Sequence, residues 1–310
     1  MRFVVLGTSE FTISCTRGLL DMGGKICALI SMPKSLLPNN SADIAGFAKE
    51  KGIPYYEMND INSSENIHIL ENFSSDYIFS SWPKIIRKEV LNVPKCYCIG
   101  THPTELPFNR GRHPLHWIIA QGITKSKLSF FKIDEGIDSG NILLQIPYEI
   151  SPEDLIVDLN TTVNESAYRG VKILYKKLLD VPLYNGIEQD HAKANYWRKR
   201  TPHDVTLDMR LSSVIIQRIV RSFAPPYPCA NLIFEKHNIK ISNATIVQTT
   251  SLSNELQRME PGKIISIKDN TIRVKVADRI VDLECATAIP SSLMEAQYIH
   301  PPSKYLTEYR

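Results

Sequence analysis

The chain has 310 residues, 43% of them hydrophobic and 22% charged, with a formal net charge of +3. That length suits a large core with a smaller appendage, and so mild a basic excess does not by itself argue for nucleic-acid binding. No apolar run approaches the ~18 residues needed to cross a bilayer, and the opening MRFVVLGTSEF is too short and too broken for a secretory leader, so a cytoplasmic location without membrane partners is expected. The six cysteines include no CxxC pair and fit reduced thiols rather than a disulfide framework.

In chain order, RFVVLG (Arg2 to Gly7) reads as a buried strand. FTISCTRGLLDMG follows as a helix, with Phe11, Cys15, Leu19 and Leu20 at helical spacing before a glycine stop. KICALIS, DYIFSS and CYCIGTH are further strands, separated by the helices ADIAGFAKEKG and PKIIRKEVL, the latter opened by Pro83. Repeated strand–helix units predict an α/β fold with a doubly wound, mostly parallel sheet. HPLHWIIAQG is a helix, KSKLSFFKID and SGNILLQIPYEI are strands around the loop DEGIDSG, and a long helix is expected from Glu153 to Leu179. DVPLYNGIEQDHAKANYWRKRTPHD has little periodicity and reads as a linker. After it come one amphipathic helix, SSVIIQRIVRSF, stopped by APPYP, and short β-type runs (NLIFEK, IKISNATIV, KIISI, TIRVKVA) that suggest a small barrel or sandwich. The expected division is therefore residues 1–182, a linker at 183–204, and residues 205–310 with one leading helix.

The stretch THPTELPFNRGRHPLHW crowds His102, His113, His116, Arg110 and Arg112 among prolines and a glycine. In open α/β sheets ligands bind at the carboxyl ends of the strands, and His102 stands where CYCIGTH should end. Asp138 lies in the acidic turn DEGIDSGNI, which the strand pattern places at a sheet end; turn formation alone would also explain its Asp and Gly residues. If Asp138 reaches His102 it would orient the imidazole and make it a competent general base. Cys96 and Cys98 share one strand face, but their spacing is not that of a zinc site, and no metal is expected. Arg110 and Arg112 precede a helix start, a suitable place for a phosphate or carboxylate and equally one for solvated arginines. GTSEF (Gly7 to Phe11) lacks GxGxxG, which weakens any dinucleotide reading, yet it follows the first strand and can line another ligand pocket. YWRKR (Tyr196 to Arg200) is a basic run of the usual solvated kind, weak evidence for an RNA backbone contact.

HPTELPFNRGRHPLHW followed by DEGIDSGNILLQ resembles the paired motifs of the folate-dependent formyltransferases, HxSLLPxxRG and DxGxDxG. RTPHDVTLDM with IQRIVRSFAPPYPCA is similar to the start of that family's C-terminal domain. The likeness covers nearly the whole chain. It implies a Rossmann-like catalytic domain, a small β-barrel-like (OB-like) second domain, and 10-formyltetrahydrofolate as formyl donor to a primary amine, with no metal. By the same likeness His102 is the general base and Asp138 its partner. The folate pocket falls to Trp82, Ile85, Ile86 and Asp134. One departure is plain: the family's Asn-x-His reads Gly100-Thr101-His102 here, so position 100 of the catalytic set lacks an amide donor to the formyl oxygen. Losing such a donor costs ~3 kcal/mol in comparable sites, and a backbone N–H, protonated His102 or an ordered water would have to replace it.

For the acceptor, RGRHPLHW is closer to the sugar-nucleotide enzymes of the family than to those acting on initiator methionyl-tRNA. MPKSLLPNNSADI lacks the glycine-rich basic loop expected for tRNA, and residues 196–310 carry 16 Lys and Arg against 11 Asp and Glu, a modest excess. The expected partner is therefore a nucleotide-linked amino sugar used for surface polysaccharide, with no nucleic acid. Arg110 or Arg112 would hold its pyrophosphate, and Thr8, Ser9, Glu10 and Phe11 would contact the sugar. Enzymes of this kind often pair as homodimers. Methionyl-tRNA formyltransferase is the alternative, and a catalytically silent folate- or nucleotide-binding homologue is a further one, suggested by Gly100.

Overall fold

The computed structural model describes residues 1–37, 41–248 and 254–305. Packing divides the chain into two compact units: residues 1–114, 125–150 and 160–198 form the first, and 115–124, 151–159 and 199–310 the second. The expected boundary at 182 thus falls inside the first unit. Among the described residues no helix is long and apolar enough to cross a membrane.

The first unit is built on seven strands: β1 (Arg2–Leu6), β2 (Lys25–Ser31), β3 (Tyr55–Glu57), β4 (Tyr77–Ser80), β5 (Tyr97–His102), β7 (Lys125–Lys132) and β8 (Ile142–Glu149). A two-residue strand, β6 (Arg110–Gly111), intervenes in the chain. The sheet order is β3-β2-β1-β4-β5-β7-β8; β1 to β5 run parallel and β7 and β8 pair antiparallel. The expected mostly parallel sheet is thus present. Its central strands are continuous apolar runs because both faces are covered, and Phe3, Val4, Val5 and Leu6 are all buried. The order reverses beside β1, so the loops after β1 and β4 flank a switch-point crevice.

Helices α1 (Glu10–Asp21) and α2 (Ile44–Lys51) fall where the periodicity puts them. Asp43 accepts from the Gly46 N–H at 2.8 Å to start α2, and Gly52, at a φ of 64°, ends it. Helix α3 (Ser64–Asn72) and the short edge strand β3 carry patterns too weak to be singled out. The helix expected from Pro83 shrinks to α4 (Lys88–Leu91). The reason is a partner distant in sequence: the Asn62 amide donates to the Ile85 carbonyl at 3.0 Å and accepts from the Arg87 N–H at 2.8 Å, holding residues 85–87 out of a helix. Helices α5 (Pro114–Gln121) and α6 (Ile156–Asp180) complete this half of the sequence.

The segment read as a linker is tied down as far as residue 198. Tyr97 donates to the Tyr184 carbonyl at 2.8 Å, Ile187 bridges Ile142, and β9 (Tyr196–Trp197) pairs parallel with β6. These are backbone and phenol contacts to sequence-distant partners, which leave no periodic trace.

In the second unit five strands, β10 (Ala230–Phe234), β11 (His237–Ile246), β12 (Ile264–Lys268), β13 (Thr271–Lys275) and β14 (Ile280–Cys285), form an antiparallel sheet in the order β10-β11-β14-β13-β12. Helix α7 (Ser213–Arg221) places Ile216 and Val220, one turn apart, in a core with Leu232, Ile241, Val274 and Leu283. Asp278, in the turn between β13 and β14, accepts from the Ser213 N–H at 2.7 Å and from its hydroxyl at 3.0 Å, which caps α7. Burial raises the pKa of Asp278, but the two Ser213 bonds, its own backbone N–H and the nearby Arg279 charge together hold the carboxyl below its ordinary value. A lowered folded-state pKa adds stability above the unfolded value and loses it as the pH falls through the folded one. Asp278→Ala is expected to lose about 0.5–1 kcal/mol at neutral pH, the value of a screened cap. Urea melts should show the gap to the native chain narrowing as the buffer is acidified through and below the ordinary aspartate range.

Candidate functional site

His102 is the last residue of β5, at the carboxyl end of the sheet. Its side chain is 5% exposed, with Nε2 2.8 Å from the Asn109 carbonyl oxygen and Nδ1 3.5 Å from Asp138 Oδ2. A carbonyl only accepts, so Nε2 carries a proton in the hydrogen-bonded ring, and Nδ1 is the nitrogen left to face the carboxylate. The Asp138 side chain is 20% exposed and lies on the solvent side of the pair. Its Oδ2 also accepts from the Gly111 N–H at 2.8 Å.

The two loops that meet here are each held by their own sequence. In the turn between β7 and β8, Asp134 Oδ1 accepts from the Gly136 N–H at 3.0 Å and from the Ser139 hydroxyl at 2.7 Å. Asp138 itself adopts the left-handed region, at a φ of 51°, and Gly140 must be glycine because a Cβ there would lie 1.8 Å from the Lys132 carbonyl oxygen. In the stretch after β5, the Thr104 hydroxyl donates to the Phe108 carbonyl at 2.8 Å, and Ser129, on β7, donates to the Thr104 carbonyl at 2.6 Å. Burial pushes the Tyr148 phenol well above its ordinary range, and it donates to the Pro103 carbonyl at 2.5 Å. Asn109 is left-handed too, at a φ of 61°, and exchanges two 2.9 Å hydrogen bonds with the Asn195 amide. Its carbonyl is thereby fixed toward His102.

The residues of the crowded stretch have different partners. His102 belongs to this site, whereas His116 lies in the second unit, its Nδ1 2.6 Å from the Ser222 carbonyl oxygen and its ring against Phe223 and Tyr227. Arg110, expected at a pyrophosphate, is instead 1% exposed. Its guanidinium donates to Gln189 Oε1 from Nε (3.2 Å) and Nη2 (2.7 Å) and to the Tyr196 hydroxyl from Nη1 (2.9 Å). A buried charge must be saturated by neighbours, and this one is spent within the protein. Arg112 is exposed.

Trp82 and Ile86 are buried in a cluster with Cys98 and the partly buried Ile133, while Ile85 is 77% exposed. The Trp82 indole N–H has no hydrogen-bond partner among the described residues, and Asp134 lies exposed on the β7–β8 turn. Gly100 is packed tightly: a Cβ there would lie 2.8 Å from both Ile133 Cγ1 and Phe131 Cζ, so apolar atoms fill the place where the family carries an amide. Thr8 is buried and Ser9 caps α1; Glu10 pairs with Arg17 at 3.6 Å on the surface, and Phe11 is half-buried. The Thr12 and Ser81 hydroxyls share a 2.8 Å hydrogen bond that joins the first turn of α1 to the loop after β4. Among the described residues no three His, Cys, Asp or Glu side chains converge as a metal would need.

Sequence reasoning did not single out Asn109, Gln189 or Asn195, and it took Tyr196 only as the start of a basic run. Gln189 and Tyr196 meet the buried Arg110 guanidinium from distant parts of the chain, and Asn195 fixes Asn109. Chemically, the first unit offers an imidazole–carboxylate pair whose carboxylate is the more exposed member, and an indole donor without a hydrogen-bond partner among the described residues, set in an apolar cluster.

Residues 1–173 match the family model described as formyl transferase, and residues 199–297 match that of the formyl transferase C-terminal domain. A methionyl-tRNA formyltransferase of Alkaliphilus oremlandii (strain OhILAs) is 27% identical over 291 residues, covering 92% of this chain and 91% of that protein. Among solved structures, an N-formyltransferase from Helicobacter canadensis in complex with folinic acid and dTDP-3-aminofucose superposes with a TM-score of 0.67 at 15% identity, over 91% of this chain and 98% of that one. WlaRD, a sugar 3N-formyl transferase solved with dTDP and 5-N-formyl-THF, gives 0.66 at 16% identity, over 93% and 99%. At such identities the two structures bear on the fold, and the two family models, which between them take in both units, carry the assignment: the chain belongs to the formyl transferase family.

Proposed function

We propose that this protein is an N-formyltransferase that moves the formyl group of 10-formyltetrahydrofolate onto the primary amine of a nucleotide-linked amino sugar destined for surface polysaccharide. The observation that carries the chemistry is the 3.5 Å approach of Asp138 Oδ2 to His102 Nδ1.

The residues present suit the folate. The unpartnered Trp82 N–H is a buried donor beside the apolar surface of Ile86 and Ile133, the surroundings that the edge of a flat heteroaromatic ring requires. Trp82, Ile85, Ile86 and Asp134 are therefore the residues assigned to hold it. When bound, 10-formyltetrahydrofolate supplies an activated one-carbon group. The attacking amine is neutral, and the proton it sheds enters the pair from the Asp138 side. His102 holds that proton at Nδ1, with Nε2–H anchored on Asn109 and the new charge matched by the Asp138 carboxylate. Arg112, exposed next to Gly111, is left as the candidate for the pyrophosphate, and the loop Thr8 to Phe11 for the sugar.

The sugar acceptor is supported by the RGRHPLHW motif, by the modest basic excess of residues 196–310 and by the two solved sugar formyltransferases, whose chains are covered almost end to end. A second reading, formylation of initiator methionyl-tRNA, is favoured by the Alkaliphilus relative. A silent homologue is favoured by the filled space at Gly100.

An assay with 10-formyltetrahydrofolate and a panel of nucleoside-diphosphate amino sugars is expected to give a formylated product. Product with none of them, from folded protein, would reject the sugar reading. Tight, steeply salt-dependent capture of charged initiator tRNA would select the second reading, and binding of both ligands without turnover the third. His102→Gln and Asp138→Asn are expected to lower kcat by about 10²–10⁴-fold with little change in the affinity for 10-formyltetrahydrofolate, checked by steady-state rates and ligand titration. Gly100→Asn, although it restores the amide of the family motif, forces side-chain atoms into Ile133 and Phe131. It is expected to destabilise the protein by about 1–3 kcal/mol in urea melts and to leave turnover no faster.

A further inference from the structure

We infer that Gln189 is a positioning residue for the Asp138–His102 pair, and that the burial of Arg110 exists to orient it. The inference rests on the reading of that pair as the proton-handling centre.

Gln189 lies in the segment that the sequence presents as a linker and beyond the residues matched by the N-terminal family model. It is 3% exposed. Its Nε2 donates to the Asp138 carbonyl at 2.9 Å and to the Gly140 carbonyl at 2.7 Å, and its Oε1 takes the two Arg110 bonds. The orientation of this amide is dictated by chemistry. A guanidinium only donates, so it must face Oε1; two carbonyls only accept, so they must face the NH2. A flipped amide would oppose donor to donor and acceptor to acceptor in a dry place.

The consequence reaches the carboxylate. Asp138 sits in left-handed backbone, which an aspartate tolerates, and the Gln189 bond fixes the carbonyl of that same residue. Arg110 meanwhile holds the other end of the amide, and the next residue, Gly111, donates its N–H to Asp138 Oδ2. One side chain thus spans the two loops that carry Asp138 and Gly111, and sets where Oδ2 stands against His102 Nδ1. Such contacts matter because a misplacement of about 1 Å can cost ~10²-fold in rate.

Gln189→Glu keeps the acceptor for Arg110 and replaces the donor with a carboxylate oxygen that repels both carbonyls. Gln189→Met made together with Arg110→Met removes both partners and leaves no buried charge unpaired, which guards against a variant that fails to fold. In both variants the His102 ring resonances, assigned in nitrogen-correlated NMR spectra by their loss in His102→Gln, are expected to shift at unchanged overall fold. In formyl transfer, kcat should fall by about 10–100-fold with KM for both substrates within about 2-fold, and the pH profile of kcat should move. Unmoved His102 resonances in folded protein would overturn the inference, as would a loss confined to KM. If the resonances move but the native chain transfers no formyl group, the positioning role stands and the functional reading fails.

Discussion

A guanidinium almost wholly removed from water has to meet acceptors or unfold what surrounds it, and Arg110 meets them in residues about eighty positions further along the chain. Satisfying it draws residues 189–197 against residues 109–111, and β6 pairs with β9 as a result of the same approach. From that seam follow the Asn109 carbonyl under His102 Nε2, the Gly111 N–H on Asp138, and the Gln189 amide on the β7–β8 turn. An arginine that the sequence offers as a ligand contact is therefore part of the frame on which the imidazole and carboxylate are mounted.

The sheet supplies the rest of the geometry. Parallel strands β1, β4 and β5 end at the same rim, and the reversal of order beside β1 opens the crevice there. β7 runs antiparallel to β5, with Lys132 opposite Ile99, and the long loop between β7 and β8 carries the Asp138 carboxylate to His102 at the end of β5. Gly100 shows what that arrangement demands of the strand. Phe131, its cross-strand neighbour, packs over the bare Cα together with Ile133, so the site is narrower and more apolar at this point than the family motif would make it.

In the second unit, too, polar satisfaction decides which buried charges are possible. Arg200 donates to the His116 and Asp204 carbonyls and to the Ser222 hydroxyl while stacking on Trp117 and Phe223. Part of the basic run YWRKR that could suggest a nucleic-acid contact is thus an internal brace, as Arg110 is in the first unit. Surface charge read from composition overstates what is available to an anionic partner when arginines are spent this way.

The sequence by itself determined the alternation of strand and helix in the first half, the run of short strands after one leading helix towards the C-terminus, the family, and the two residues, His102 and Asp138, that the tertiary structure brings to 3.5 Å. Those features are legible because apolar periodicity and short motifs are local records of burial and chemistry. Only the tertiary structure decided that Arg110 faces inward, that residues 83–87 escape a helix, that His116 meets the Ser222 carbonyl, and that a glutamine in an apparent linker bonds the carbonyl of an aspartate fifty-one residues before it. These depend on amides and carbonyls meeting across sequence distance, and a polar side chain looks the same in a sequence whether water or the protein satisfies it.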